Sequence, residues 1–381
     1  MKFFNLDLHV SVISDVTTNF EQLGHTVDEN CMSGHWWALN KPRGHRGTSL
    51  TPNGRIGYGP VNLTTWENMF WLPRLPDGTM AITKMMGAQC PELRNYDGFI
   101  CCYPPSFVYV YGDLGKPVIM NAPIRYEFPF QQQADHWHRF NEYLVSGQDN
   151  GMIHPVGNSV YECKYYEYFT GRPMRHISSL CEYIDRFSPK WSGTRNIFWS
   201  FGEHAGSREA AKRVKGVQFI RDAIPQYQHA DIPQAKGVVW TPYNCSIMSF
   251  FEHYWLNIPI FVPTPRLLLE LYHAKMALSQ FSWNYEHTGS ILPRVGTDLP
   301  DPNHKDSVPQ WLDFYDFYNL TEFPYISYFD SWPDLQNLMD GTDLVKTSAL
   351  MAAHNQVRKQ RALAQWAELT KTIDNKNHPT Q

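Results

Sequence analysis

At 381 residues the chain is long enough for two domains. Its 43% apolar and 18% charged residues fit a globular protein with a sizeable core and exclude a disordered one. Thirty-three basic against 37 acidic residues leave a net charge of −4, which argues against a protein whose main task is gripping nucleic-acid phosphates, though not against a local basic groove.

The opening segment alternates Phe4, Leu6 and Leu8 with Asn5, Asp7 and His9, the period of a strand. Val12, Val16, Phe20 and Leu23 then follow a helical period, and Gly24 stands where a helix ends. With the extended run at Val27 this predicts the first strand–helix–strand unit of a parallel α/β sheet. No unbroken apolar stretch suits a secretory signal, and no 18-residue apolar run suits a membrane span. The seven cysteines are odd in number and show no CxxC spacing, so they read as free thiols of a cytoplasmic chain.

Residues 34–91, dense in proline and glycine, read as a loop-rich insertion with one or two short elements. Its Trp36, Trp37, Trp66 and Trp71 are candidates for stacking on a sugar ring, although aromatics are more often packing residues. Two apolar runs, Tyr96–Tyr103 and Lys116–Asn121, have the form of buried parallel strands, with helical patterns after Asp135 and from Ser159 to Phe169. His136 and His138 lack an evident third ligand, so no metal site is expected. Asn62 and Asn319 stand in glycosylation acceptor patterns that a cytoplasmic chain leaves bare. A joint is expected at Arg186–Gly193, followed by a strand at Asn196–Gly202 and a helix over Ser207–Lys215 capped by Ser207. The expected domains are therefore 1–186, 187–345 and a C-terminal helix with polar tail at 346–381.

The most informative stretch is Ala235–Pro263. It predicts a strand (Gly237–Trp240), a turn (Thr241–Cys245), a helix (Ser246–Leu256) and a second strand (Ile258–Val262). Asn244, Ser246 and Ser249 then cluster at a helix N-terminus, whose unpaired N–H groups and partial positive charge suit a diphosphate. Glu252, one to two turns on, is placed to accept hydrogen bonds from a ribose diol, at the carboxyl end of the strands where parallel sheets bind ligands.

This arrangement resembles the nucleotide-sugar half of GT-B glycosyltransferases, in which a ribose-binding glutamate stands seven residues before the proline of the next strand, as Glu252 stands before Pro259. Leu23-Gly24-His25-Thr26-Val27 is similar to the opening of such enzymes, and Asp97–Ile100 and Tyr325–Ser331 fit further parts. The resemblance implies an α/β chain of two Rossmann-like domains facing a central cleft, with a C-terminal helix. It implies a metal-independent transferase, without a cofactor, that moves a sugar from a nucleotide diphosphate to a hydroxyl acceptor such as a glycan. The donor set it implies is Tyr243, Asn244, Ser246, Ser249 and Glu252, with His204 or Arg208 neutralising the diphosphate. His9 is the candidate base that takes the acceptor proton, with Asp7 and Asp15 as competing carboxylates.

Two positions depart from the family pattern. Asn244 stands where retaining members carry a second glutamate, which leans toward inversion, and the first strand of the second domain is not followed directly by Arg or Lys. The rival readings are a phage-type DNA-base glycosyltransferase, a non-catalytic sugar-nucleotide-binding protein and a nucleotide-sugar epimerase of the same architecture.

Overall fold

The computed structural model describes residues 1–7, 10–31, 48–50, 55–58, 61–65, 91–112, 114–123, 125–128, 130–281 and 288–377. His9 and the four insertion tryptophans lie outside the described residues. The chain divides into two compact units. The first comprises Met1–Ser179, Ile291–Asp298 and Arg361–Gln381, and the second comprises Leu180–Ser290 and Leu299–Gln360.

In the first unit the strands are β1 (Lys2–Asp7), β2 (Thr26–Cys31), β3 (Thr48–Leu50), β4 (Arg55–Tyr58), β5 (Val61–Thr65), β6 (Gly98–Cys101), β7 (Val118–Ala122), β8 (Ile153–Gly157) and β9 (Arg175–His176). Its helices are α1 (Val10–Gln22), α2 (Val108–Gly112), α3 (Ala134–Asp149) and α4 (Val160–Thr170). A six-stranded parallel sheet runs in the order β2-β1-β6-β7-β8-β9. The central strands β6 and β7 are buried at every position, which is why they read as unbroken apolar runs. α1 buries Val12, Val16 and Phe20 on one face, and the chain then turns at Gly24, where φ is +77°. Ser159 caps α4 by accepting the Glu162 N–H at 3.1 Å.

The insertion holds more regular structure than its composition predicts. β3, β4 and β5 form a three-stranded antiparallel sheet, and β4 runs through Arg55–Tyr58 of the glycine cluster. These strands are too short and too broken by proline and glycine for a period of two to show.

The second unit carries β10 (Arg195–Gly202), β11 (Val217–Phe219), β12 (Ala235–Thr241), β13 (Ile260–Pro263) and β14 (Ser327–Phe329). Its helices are α5 (His204–Arg213), α6 (Ile220–Ala223), α7 (Met248–Trp255), α8 (Pro265–His273), α9 (Val308–Trp311) and α10 (Trp332–Gly341). The five strands form a parallel sheet in the order β11-β10-β12-β13-β14. The last helix, α11 (Leu344–Asn377), belongs to the second unit through Gln360 and to the first from Arg361. Within the first unit its Trp366 packs against Phe20 at 5.3 Å. Within the second its Asn355 amide donates to the Tyr254 carbonyl at 2.9 Å.

Both units are Rossmann-like. In each, the first strand sits inside the sheet, the second pairs on one side, and the chain then crosses to the other side. That reversal leaves a crevice at the carboxyl ends between β1 and β6 in one unit and between β10 and β12 in the other. The α/β fold of two Rossmann-like parts with a C-terminal helix is thus as the sequence predicts. Helix starts differ locally. α5 begins at His204 and is capped by Glu203, whose Oε1 accepts the His204 N–H at 3.2 Å. Ser207 is not the cap; it lies inside that helix, and its carbonyl accepts the Ser200 hydroxyl at 2.9 Å. α7 begins at Met248, so Ser246 belongs to the preceding turn.

Candidate functional site

The reversal between β10 and β12 is built from two loops in direct contact. β10 ends at Gly202, paired with Thr241 at the end of β12. Gly202 has φ +101°, and a Cβ there would stand 1.9 Å from the Thr241 carbonyl oxygen, so only glycine fits. The Glu203 N–H donates to that same carbonyl at 2.7 Å. On its other side the turn is braced by residues 278–280. The Leu278 N–H donates to Pro242 O at 2.8 Å, the Gln280 N–H donates to Tyr243 O at 2.9 Å, and the Ser279 hydroxyl donates to Glu203 Oε2. A short apolar strand followed by Thr-Pro-Tyr-Asn therefore becomes a turn fixed from both flanks.

The donor set implied by the sequence gathers along this turn and α7. Asn244 is 2% exposed, and its Oδ1 accepts the Cys245 N–H at 2.8 Å, which leaves the amide nitrogen as its group for a ligand. Ser249 lies half-buried in the first turn of α7. Ile247 stands at the N-cap position and offers no capping side chain, while its carbonyl accepts the Phe250 N–H at 2.9 Å. Ser246 is buried in the turn before α7, close to the buried Asp316, whose backbone N–H donates to the Cys245 carbonyl at 3.3 Å.

Glu252 is held more closely than an open ribose acceptor. It is 5% exposed, and its Oε1 accepts the hydroxyl of Tyr183, from the short turn Glu182–Arg186 that packs along α7. The neighbouring Trp255 secures the same turn, donating from Nε1 to Asp185 Oδ1 at 3.0 Å. Burial, with the Glu252 charge adding to it, pushes the Tyr243 phenol up to about 12. Burial also raises Tyr227, with Glu252 again adding to the shift. On both tyrosines the charge of Arg221 acts in the opposite sense.

Arg221 is a further cation whose charge reaches these tyrosines, and sequence reasoning did not single it out. It lies exposed on α6, after β11, and among the described residues it forms no ion pair. Arg208 differs: its guanidinium makes a bidentate pair with Asp222, at 3.0 and 2.9 Å, and lies over the Phe219 ring. That pairing holds the Asp222 carboxyl below its ordinary range. His204 stands against the same Phe219 ring at 5.4 Å. The only signal for Arg221 was a basic residue in a segment too short to show periodicity.

On the back of α7, His253 faces the core between Phe201, at 4.4 Å, and Trp240, at 5.4 Å. Among the described residues neither ring nitrogen has a hydrogen-bond partner, and burial lowers its pKa to about 3. The ring is therefore neutral packing that seats the helix carrying Glu252.

In the first unit, Asp7 closes β1 opposite Cys31, at the reversal between β1 and β6. Asp15 is buried on α1. His25 packs against Phe3 and Phe20, and burial lowers its pKa. His138 pairs with Glu142 one helical turn away at 3.5 Å, and among the described residues no group of three metal-ligating side chains occurs. No described helix is long and apolar enough to cross a membrane.

No family model matches the chain, and neither does any curated protein. Solved structures similar to it include the glycotransferase of kitacinnamycin, with 10% identity over 97% of this chain and 98% of that one and a TM-score of 0.46. The calicheamicin glycosyltransferase CalG4 has 10% identity over 97% and 98%, with a TM-score of 0.41. SnogD from Streptomyces nogalater has 10% identity over 97% and 99%, with a TM-score of 0.43. Likenesses at these scores assign nothing, and the site stands on its own geometry.

Proposed function

We propose that the chain is a GT-B glycosyltransferase that moves a sugar from a nucleotide-diphosphate sugar to a hydroxyl acceptor, with inversion and without a metal ion. The observation that carries this reading is the β12–turn–α7–β13 module at the reversal of a parallel sheet. It places the N-terminal turn of α7 beside Asn244 and Ser249, with a carboxylate farther along the same helix.

In this reading the diphosphate meets the first turn of α7, the Asn244 amide and Ser249, and Arg221 supplies positive charge. Tyr243 and Tyr227 flank the nucleoside. Glu252 meets the ribose diol with the oxygen that Tyr183 does not occupy. His204 remains a second donor to phosphate, whereas Arg208 would first have to leave Asp222. The first unit would hold the acceptor. A base there, His9 or Asp7, would take the hydroxyl proton as the acceptor oxygen bonds to the anomeric carbon and the bond from that carbon to the diphosphate breaks. The nucleoside diphosphate then leaves with the bonding pair.

A thermal-shift screen against UDP-, GDP- and TDP-sugars tests this, because a ligand that binds only the folded state raises the melting temperature. A shift that Glu252→Ala abolishes supports the donor reading. No shift with any nucleotide, or an unchanged shift in Glu252→Ala, would overturn it. Donor consumption that needs an added acceptor separates a transferase from an epimerase, and donor binding without turnover marks a binding protein.

A further inference from the structure

The C-terminal end of α7, just past Glu252, is closed by a side chain from the last helix of the chain. α7 is eight residues long, so Glu252 lies within one turn of its final residue, Trp255. The chain leaves the helix through a left-handed residue that is not glycine: Asn257 has φ +61°. Its N–H donates to the Tyr254 carbonyl at 3.0 Å, and the Ile258 N–H donates to the His253 carbonyl at 3.2 Å, the pair of bonds that ends a helix at such a residue. Asn355 of α11, 2% exposed, reaches this end from 98 positions away. Its amide nitrogen donates to the Tyr254 carbonyl at 2.9 Å and to Asn257 Oδ1 at 2.8 Å. A longer contact of 3.5 Å runs to the Trp255 carbonyl, which also accepts Lys190 Nζ at 2.9 Å. The oxygen of the Asn355 amide accepts Arg358 Nη1, one helical turn on, at 2.9 Å. That guanidinium is itself buried, 4.5 Å from the Phe323 ring and 5.3 Å from the ring of Tyr254 on α7, with Glu322 Oε1 3.8 Å from its Nε.

We infer that Asn355 is a positioning residue that caps the C-terminal end of α7 and so fixes the turn carrying Glu252, with Arg358 setting which way its amide faces. This rests on the donor reading for its purpose but not for its geometry. The surroundings admit few other side chains. The Tyr254 and Trp255 carbonyls and Asn257 Oδ1 can only accept, and the Arg358 guanidinium can only donate. A residue between them must donate at one end and accept at the other. An amide does this; a carboxylate and an apolar side chain do not. Burial raises the stakes, because helix-end carbonyls carry partial negative charge, and one buried without a donor costs more than a made bond gains. Glu252 is tied into the same end, since its own carbonyl accepts the Leu256 N–H at 3.0 Å. When that end frays, the carboxylate moves with it. Tyr183 holds the Glu252 side chain at its tip, and Asn355 holds the backbone that carries it.

The test has two arms on the full chain. In the first, amide hydrogen exchange is followed over residues 252–258 without ligand in the wild type, Asn355→Ala and Asn355→Asp. Asn355→Asp keeps the shape and an acceptor for Arg358 but has no N–H to give, so it separates capping from space-filling and still decides the matter if Asn355→Ala does not fold. Loss of the buried cap should speed exchange about tenfold in both variants. In the second arm, UDP and GDP are titrated into wild type and Asn355→Asp, each with and without Glu252→Gln. The expected result is affinity about tenfold weaker in Asn355→Asp when Glu252 is present, and a change within about twofold when it is not, because the effect passes through that carboxylate. Exchange over 252–258 within about twofold of wild type in Asn355→Asp overturns the inference, whatever the nucleotides do. An equal loss of affinity with and without Glu252 overturns it too, since a merely structural residue would weaken both backgrounds alike. A wild type that binds neither nucleotide removes the donor reading, and the exchange arm still decides whether Asn355 caps α7.

Discussion

Acidification should loosen the helix that carries Glu252, and the His253 ring sets how much. Folded His253 has a pKa of about 3 against 6.5 for a free histidine, because burial between Phe201 and Trp240 disfavours its charged form. A depressed histidine pKa means that the unfolded chain binds the proton first. Its contribution is therefore present above pH 6.5 and is lost as the pH falls from there toward 3. Integrating between these values, the loss from pH 7 to pH 5 is about 2 kcal/mol. His253→Phe keeps an aromatic ring in the slot and cannot titrate, so it should unfold with nearly the same stability at both pH values as far as this site is concerned. Other groups move as well. His154 is lowered to about 4 by burial and loses stability in the same window, while Asp316 and Glu162, both raised by burial, shift in the opposite sense. These effects are common to both proteins and cancel in the difference. Urea unfolding of wild type and His253→Phe at pH 7 and pH 5 gives the number directly. A difference between the two pH-induced changes below about 0.5 kcal/mol would show that His253 already ionises in the fold, or that α7 does not depend on it.

Three further outcomes follow from the same geometry. Tyr183→Phe removes a donor from the buried Glu252 carboxylate and should cost about 1.5–3 kcal/mol in urea unfolding; a loss under about 0.5 kcal/mol would mean that the contact carries no weight. Gly202→Ala forces a side chain into the left-handed region and onto the Thr241 carbonyl, so it should destabilise by at least about 1–3 kcal/mol, and a variant as stable as wild type would contradict the packing described for the turn. Arg221→Ala should leave unfolding within about 0.5 kcal/mol of wild type, because the residue is exposed and unpaired among the described residues, yet weaken UDP or GDP binding and flatten its salt dependence. Binding that is unchanged in affinity and in salt response would remove Arg221 from the site.

The sequence carried the frame of the donor module because burial on both faces of a parallel strand leaves an unbroken apolar run. Val238, Val239 and Trp240 show it on β12, and Ile260, Phe261 and Val262 show it on β13. It also placed Asn244, Ser249 and Glu252 on one turn and helix, since their spacing is local. It did not show what surrounds them. Tyr183 reaches Glu252 across 69 positions, and Asp316 and Arg221 sit in a three-residue turn and a four-residue helix, too short for any hydrophobic period. The cap of α5 was misplaced for a related reason. Serine is the commoner cap, but the tight approach of Gly202 to Thr241 brings the chain into the helix at Glu203.

The central claim is that the carboxyl edge of the second unit binds a nucleotide diphosphate through α7 and Glu252. Isothermal titration of UDP and GDP into wild type and Glu252→Gln tests it most directly. The account predicts binding of at least one nucleotide, weakened about tenfold or more when the carboxylate becomes an amide. Equal affinity in both proteins, or no heat of binding with either nucleotide, would contradict it.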